Sequence, residues 1–207
     1  MLKQILPSMW QWSWFSDEKK LDFNGLLLAI GEHRVIVDPP PISPQDVAQV
    51  KRLGQVDYIV LTNRDHVRES PTYRSEFRCQ LWVPDADASQ MDLKPDKTYK
   101  DGELLPGGIW AVHLHDQKSP GETALFIQQA ARTGGGTLNG IMIVGDALIG
   151  KPPGSVSMLA PEKYPDPQKA REGLRRLLKY QFDVLLVGDG ASIIGGAKQA
   201  VKTLLQG

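Results

Sequence analysis

The sequence predicts a mixed α/β (α+β) architecture, folded as one domain over residues 1–207, and three observations carry that reading. Strand signals alternate with helix and loop signals along the chain, no segment repeats at a fixed period, and 41% apolar residues in 207 suffice for a packed core. Gly25 to Ile30 and His33 to Val37 are two β-rich runs around the short turn Gly31 and Glu32, which reads as a hairpin ended by Asp38 and the prolines 39 to 41. Ser43 and Pro44 open a helix as N-cap and first helical residue, with Val47, Val50 and Leu53 at helical spacing up to Gly54. Val56 to Leu61 is a short buried strand, and the polar run Thr62 to Glu69 leaves its C-terminal end, where α/β proteins place their chemistry.

Further strands are expected at Gln80 to Val83, Ile109 to His115, Thr123 to Gln128, Ile141 to Val144 and Val184 to Val187. Asp166 to Tyr180 has helical periodicity, Gly195 to Leu205 is a closing helix, and the Gly- and Thr-rich stretch 132–140 is a surface turn. Trp10, Trp12 and Trp14 alternate with Gln11 and Ser13, which puts three indoles on one side of an extended strand. Such a stripe covers a core or packs in a subunit interface, so a homodimer is compatible with it.

Charge and composition exclude several functions. The 24 basic residues balance the 24 acidic ones, so no whole-chain field draws the protein to nucleic acid, and no polybasic block suggests a membrane surface. The longest apolar runs fall far short of the roughly 20 residues of a bilayer span. The N-terminal stretch lacks the features of a cleaved leader, which makes a cytoplasmic location the expectation. The single Cys79 excludes an internal disulfide and any thiolate cluster, and reads as a small buried hydrophobe.

Several spaced landmarks together resemble the metallo-β-lactamase superfamily, from about Asn24 to Leu205. These are Asn24, the hairpin ending in Asp38 and Pro39, the strand Ile59 to Thr62, the turn Asp101 and Gly102, the run Ser119, Pro120 and Gly121, the pair Gly145 and Asp146, and the run Gly188 to Gly190. The resemblance implies a four-layer αββα sandwich and, in the family, an HxHxDH loop that gives zinc or another divalent metal its imidazole and carboxylate ligands. Here that loop reads Asn63, Arg64, Asp65, His66, Val67, Arg68: Asn63 and Asp65 stand at the first two histidine positions, Val67 at the aspartate and Arg68 at the last histidine. Lys118 and Asp189 stand at the two later histidine positions, and only Asp146 keeps the family residue, the carboxylate that bridges two metals.

The expectation is therefore a pocket of Asn63, Asp65, His66, Arg68, Lys118, Asp146 and Asp189 with no metal among its partners. In it, protein cations replace the ions as counter-charges to the carboxylates. Catalytic residues are unknown on this reading, and the function is a non-catalytic or small-anion-binding one. The alternative is a divergent hydrolase of a small ester, thioester or phosphodiester, working through a relocated single metal on His113 and His115 with Asp116 or His66, or through Asp65 and His66 as acid and base. His66, one residue off the ligand positions, is expected to point to solvent, and His33 is read as a hairpin residue. Arg171, Arg175, Arg176 and Lys179 form the solvated face of an amphipathic helix, and nucleic acid is not an expected partner.

Overall fold

The computed structural model describes residues 1–131 and 134–206. Four strands open the chain: β1 (Lys3–Leu6), β2 (Met9–Ser16), β3 (Leu21–Ile30) and β4 (His33–Val37), each antiparallel to the one before. The predicted hairpin is β3–β4, turned at Gly31 with φ 59°. After the prolines, α1 (Pro44–Arg52) starts as expected. The Ser43 side chain accepts from the Asp46 amide at 3.1 Å and its hydroxyl donates to Asp46 Oδ2 at 2.8 Å, while Asp46 Oδ1 takes the Leu2 amide at 2.8 Å. Ser43→Ala removes that cap and should cost about 1 kcal/mol in a urea melt.

Next come β5 (Tyr58–Val60), α2 (Ser70–Phe77), β6 (Gln80–Pro84), the short α3 (Asp85–Ala88) and β7 (Lys97–Tyr99). From β4 onward these strands pair in parallel, and they complete a seven-stranded sheet in chain order. Sequence reading placed nothing at α2, because Tyr73 and Phe77, one turn apart, are its only large apolar residues. The strand expected at 56–61 is shorter, three residues long.

The second sheet is built from β8 (Leu104–Leu105), β9 (Ile109–His113), β10 (Thr123–Ile127), β13 (Ile141–Val144), β14 (Val184–Val187) and β15 (Ile193–Ile194), in the order β15-β14-β13-β10-β9-β8. Between β10 and β13, β11 (Ala130–Ala131) pairs with β12 (Thr137–Leu138), so the stretch expected as a turn carries part of a small hairpin; residues 132 and 133 lie outside the described residues. The helix expected over 166–180 is α4 (Pro167–Leu174), capped by the Asp166 side chain, followed by a 3₁₀ turn from Arg175 to Lys179. The closing helix is α5 (Ala197–Gln206).

The two sheets face each other. Their inner faces share one core, in which Leu28, Val35, Val37 and Val60 of the first sheet pack with Ile109, Leu125, Ile141 and Leu186 of the second. A second core lies between the second sheet and α4 and α5, around Val112, Met142, Leu174 and Val201. A third lies between the first sheet and α1 and α2, around Trp12, Ile36, Val50 and Phe77. This is the αββα sandwich. The Trp stripe covers that third core with its first two members: Trp12 is buried, stacks on Tyr73 at 5.8 Å and donates to the Pro40 carbonyl, and Trp10 packs half-buried beside it. Its last member, Trp14, is exposed. No helix among the described residues is long and apolar enough to cross a membrane.

Candidate functional site

Three strand ends meet at one rim of the sandwich, and each delivers a loop. Beyond β5, Thr62 anchors to the end of β4, its amide and hydroxyl donating to Asp38 Oδ1 and Oδ2 at 2.8 and 2.6 Å. A 3₁₀ turn then runs from Arg64 to His66, capped by Asn63, whose side chain accepts the Asp65 amide at 2.8 Å. Beyond β13 come Gly145 and Asp146, and beyond β14 Gly188 and Asp189. Glycine is required at both places by close approach: a Cβ on Gly145 would lie 2.2 Å from Thr62 Oγ1, and one on Gly188 would lie 2.6 Å from His66 Cε1. Between β9 and β10, the loop bearing Lys118 is pinned by buried Asp87, which accepts the Ser119 hydroxyl and the Gly121 amide and also holds the Arg64 amide.

The side chains converge on a cleft of about 310 Å³ lined by Asp65, His66, Arg68, Lys118, Asp146 and Asp189, together with Lys19, Leu21, Phe23, Leu159 and Lys163. Six of the seven residues singled out from sequence thus meet. The seventh, Asn63, is fully buried behind the cleft and donates to Glu122 Oε2 at 2.8 Å. Lys118 Nζ lies 2.6 Å from Asp146 Oδ2 and 3.0 Å from Asp65 Oδ2. Arg68 Nη2 donates to Asp189 Oδ1 at 2.6 Å and lies 3.3 Å from His66 Nε2. Its remaining bonds reach the carbonyls of Asn24, Asp38 and Gly188, and its guanidinium sits 4.7 Å above the Phe23 ring.

His66 corrects the sequence reading. Its ring is 3% exposed and points into the cleft, not to solvent, with Nδ1–H donating to Asp38 Oδ2 at 2.8 Å and Nε2 lying 3.6 Å from Asp146 Oδ1. The tight 3₁₀ turn rotates it inward from a position that the motif spacing assigns to the loop's outer side. His113 and His115 stack edge-to-face at 4.6 Å, but His115 is exposed and His113 lines a separate cavity with Asp85, Lys100 and Asp101. Among the described residues, the one group of three donor atoms within 4.8 Å of one another comes from His66, Asp146 and Asp189, and neither strand histidine belongs to it.

Sequence reasoning missed three participants. In the sequence Asp38 marks the end of a strand and an Asp-Pro landmark but no site residue, Glu122 follows Gly121 without a motif, and Phe23 carries no signal. The Asp-Pro turn at Asp38 was the available clue. Asp38 and Arg68 also share left-handed backbone, at φ 48° and 42°, and brace each other through the Arg68-to-Asp38 carbonyl bond of 3.2 Å. Such strain in two non-glycine residues persists where the surroundings over-determine it, and it clusters at functional sites.

The electrostatics follow from burial set against pairing. Burial and the Arg68 guanidinium favour a neutral His66 ring, but the Asp38 charge and the hydrogen bonds with Asp146 and Asp38 prevail and hold its pKa up at about 10. Burial would raise Asp146, yet His66 and Lys118 pull it well below the usual carboxylate range. For Asp189 burial wins over His66 and Arg68, and its pKa rises. Glu122, fully buried and next to the Asp146 charge, is pushed well above the ordinary value. Burial would lower Lys118, but Asp146 and Asp65 hold it above the usual lysine range.

Comparison with known proteins agrees with this architecture. The family model of the metallo-beta-lactamase superfamily matches residues 1–207. No curated protein matches the sequence. Among solved structures, a metallo-β-lactamase from Pontibacter korlensis superposes with a TM-score of 0.72 at 12% identity, covering 100% of this chain and 98% of that one. DIM-1 metallo-β-lactamase gives 0.70 at 11% identity, covering 100% and 96%. A Cronobacter sakazakii metallo-β-lactamase with an HARLDQ motif gives 0.62 at 18% identity, covering 91% and 77%. At these identities the likeness of structure speaks for the fold alone, but with a family model matched from end to end, the chain belongs to the metallo-β-lactamase superfamily.

Proposed function

We propose that this chain is a metal-independent member of the superfamily whose cleft binds a small anion and does not hydrolyse a substrate. One observation carries the reading: each of the three available metal donors already faces a protein cation. Arg68 Nη2 touches Asp189 and His66, and Lys118 Nζ touches Asp146. Guanidinium cannot shed its proton in a protein, so a divalent ion among these donors would sit against a fixed positive charge. The donor set and its neighbours do not fit the family's metal centre, and no hydrolytic step is derived through one. The Cronobacter protein's HARLDQ motif also departs from HxHxDH at two positions.

Anion binding is supported by what remains unpaired. Arg68 spends its donors on Asp189 and on three carbonyls. Lys118 has three N–H donors and two carboxylate partners, which leaves one donor for the cleft. Lys19 and Lys163 line the same space, which adds two ammonium groups to the positive side of the cleft.

Calorimetric titration with inorganic phosphate tests this. Saturable binding that weakens about tenfold in the exposed variant Lys163→Ala, and falls as ionic strength rises, is the expected result. Hydrolysis of generic ester or phosphodiester substrates that follows the content of bound metal and disappears with chelator would overturn it.

A further inference from the structure

Asp87 lies outside the cleft, yet it touches both loops that carry Asp65 and Lys118 into it. It belongs to the short α3 behind β6, is fully buried, and takes its bonds from three neutral donors. Oδ1 accepts the Gly121 amide at 2.8 Å and Oδ2 the Arg64 amide at 2.8 Å, while the Ser119 hydroxyl lies 2.6 and 2.5 Å from the two oxygens. A buried carboxylate is tolerated because these donors fill its acceptor sites. The fit is close: a Cβ on Gly121 would lie 2.5 Å from Asp87 Cγ, so glycine is what admits the carboxylate there.

The donors flank the residues that bring charge into the cleft. Arg64 precedes Asp65, Ser119 follows Lys118, and Lys118 Nζ lies 3.0 Å from Asp65 Oδ2. The two loops are thus joined twice, by Asp87 in the interior and by the Lys118–Asp65 pair at the cleft, and the connections close a ring. The pair is 30% and 39% exposed, too open to water to fix a flexible lysine by itself. The interior connection has no water to compete with it. Asp146 holds one N–H of Lys118 at 2.6 Å, but where the others point depends on where the loop sets the lysine stem.

We propose that Asp87 is the positioning residue of the anion site: by holding the Arg64 and Gly121 amides at one spacing, it sets the Lys118 ammonium against Asp65 and leaves its third N–H for the cleft. The inference rests on the anion-binding reading above. It adds a group that never meets the ligand and on which the ligand's cation depends.

The test takes the full chain as wild type, Asp87→Asn and Ser119→Ala, with two readouts: calorimetric titration with inorganic phosphate, and acylation of lysines by acetic anhydride, followed residue by residue by peptide mass. Asp87→Asn keeps the shape but offers a single acceptor oxygen, so it releases one of the two loops. Phosphate affinity should fall about tenfold, the size of one lost buried hydrogen bond. Lys118 should be acylated several-fold faster than in wild type, while Lys19 and Lys163 keep their rates. Ser119→Ala removes only the hydroxyl; it should show both effects in smaller measure, and it decides the question alone if Asp87→Asn does not fold. A role in stability alone would lower Tm and leave both the affinity of the folded protein and the ratio of Lys118 to Lys163 acylation at their wild-type values, and that result overturns the proposal. Wild type that binds no phosphate overturns the anion reading, and the acylation ratio then still decides whether Asp87 places the lysine.

Discussion

His66→Ala should destabilise the protein by about 3–5 kcal/mol, the cost of breaking a buried ion pair by deleting one partner. The ring lies between Asp38, at 2.8 Å, and Asp146, at 3.6 Å, and both carboxylates are buried. Without it, Asp38 keeps only its bonds from the Thr62 amide and hydroxyl and the positive charge of Arg68 farther off, and Asp146 keeps only Lys118. Chemical denaturation at pH 7 measures the loss. A drop below about 1 kcal/mol, the usual range for an exposed pair, would mean that the cluster contributes no more than a surface salt bridge. His66→Gln, which can still donate to one carboxylate, should fall between the two proteins.

The fold was legible because its signals are local. The β3–β4 hairpin, the Ser43 cap and the short apolar strands before Thr62 and Gly145 each announce themselves within a few residues. Helix α2 was not legible, since two aromatic side chains one turn apart give too little periodicity to be heard above a polar run. Of the site, the charged residues at motif positions were found: Asp65, Arg68, Lys118, Asp146 and Asp189 do line one cleft. What spacing could not give was direction. Whether His66 faced in or out depended on the pitch of a single 3₁₀ turn, and Asp38 joined the cluster through a left-handed backbone that no residue type announces. Glu122 is hidden for a different reason: it is bonded to Asn63 and to the Ala147 amide inside the protein, and its role appears only when those partners are placed.

Stability should be greatest in mildly acidic solution and fall as the pH rises from about 6.5 to 10. In the folded protein His66 has its pKa raised to about 10, above the value near 6.5 of an unfolded chain. Its contribution is therefore complete below about pH 6.5 and is lost as pH climbs through about 10, where the folded ring gives up its proton. A displacement of that size corresponds to at most about 5 kcal/mol. Asp189 and Glu122, both raised by burial, act in the same direction, because the folded state holds their protons more tightly than the unfolded one and loses that advantage with rising pH. Asp146 acts oppositely. Its depressed pKa adds stability above the ordinary carboxylate value near 4 that disappears on acidification below it. Urea unfolding of wild type and His66→Gln at pH 6, 8 and 10 separates these contributions, since general alkaline titration of lysines and tyrosines is common to both proteins. The gap between the two should be widest at pH 6 and close toward pH 10; a gap that stays constant across the range would show that the folded ring holds its proton no more tightly than an unfolded one, and a gap that shifts the other way between pH 6 and 8 would show a ring kept neutral by burial.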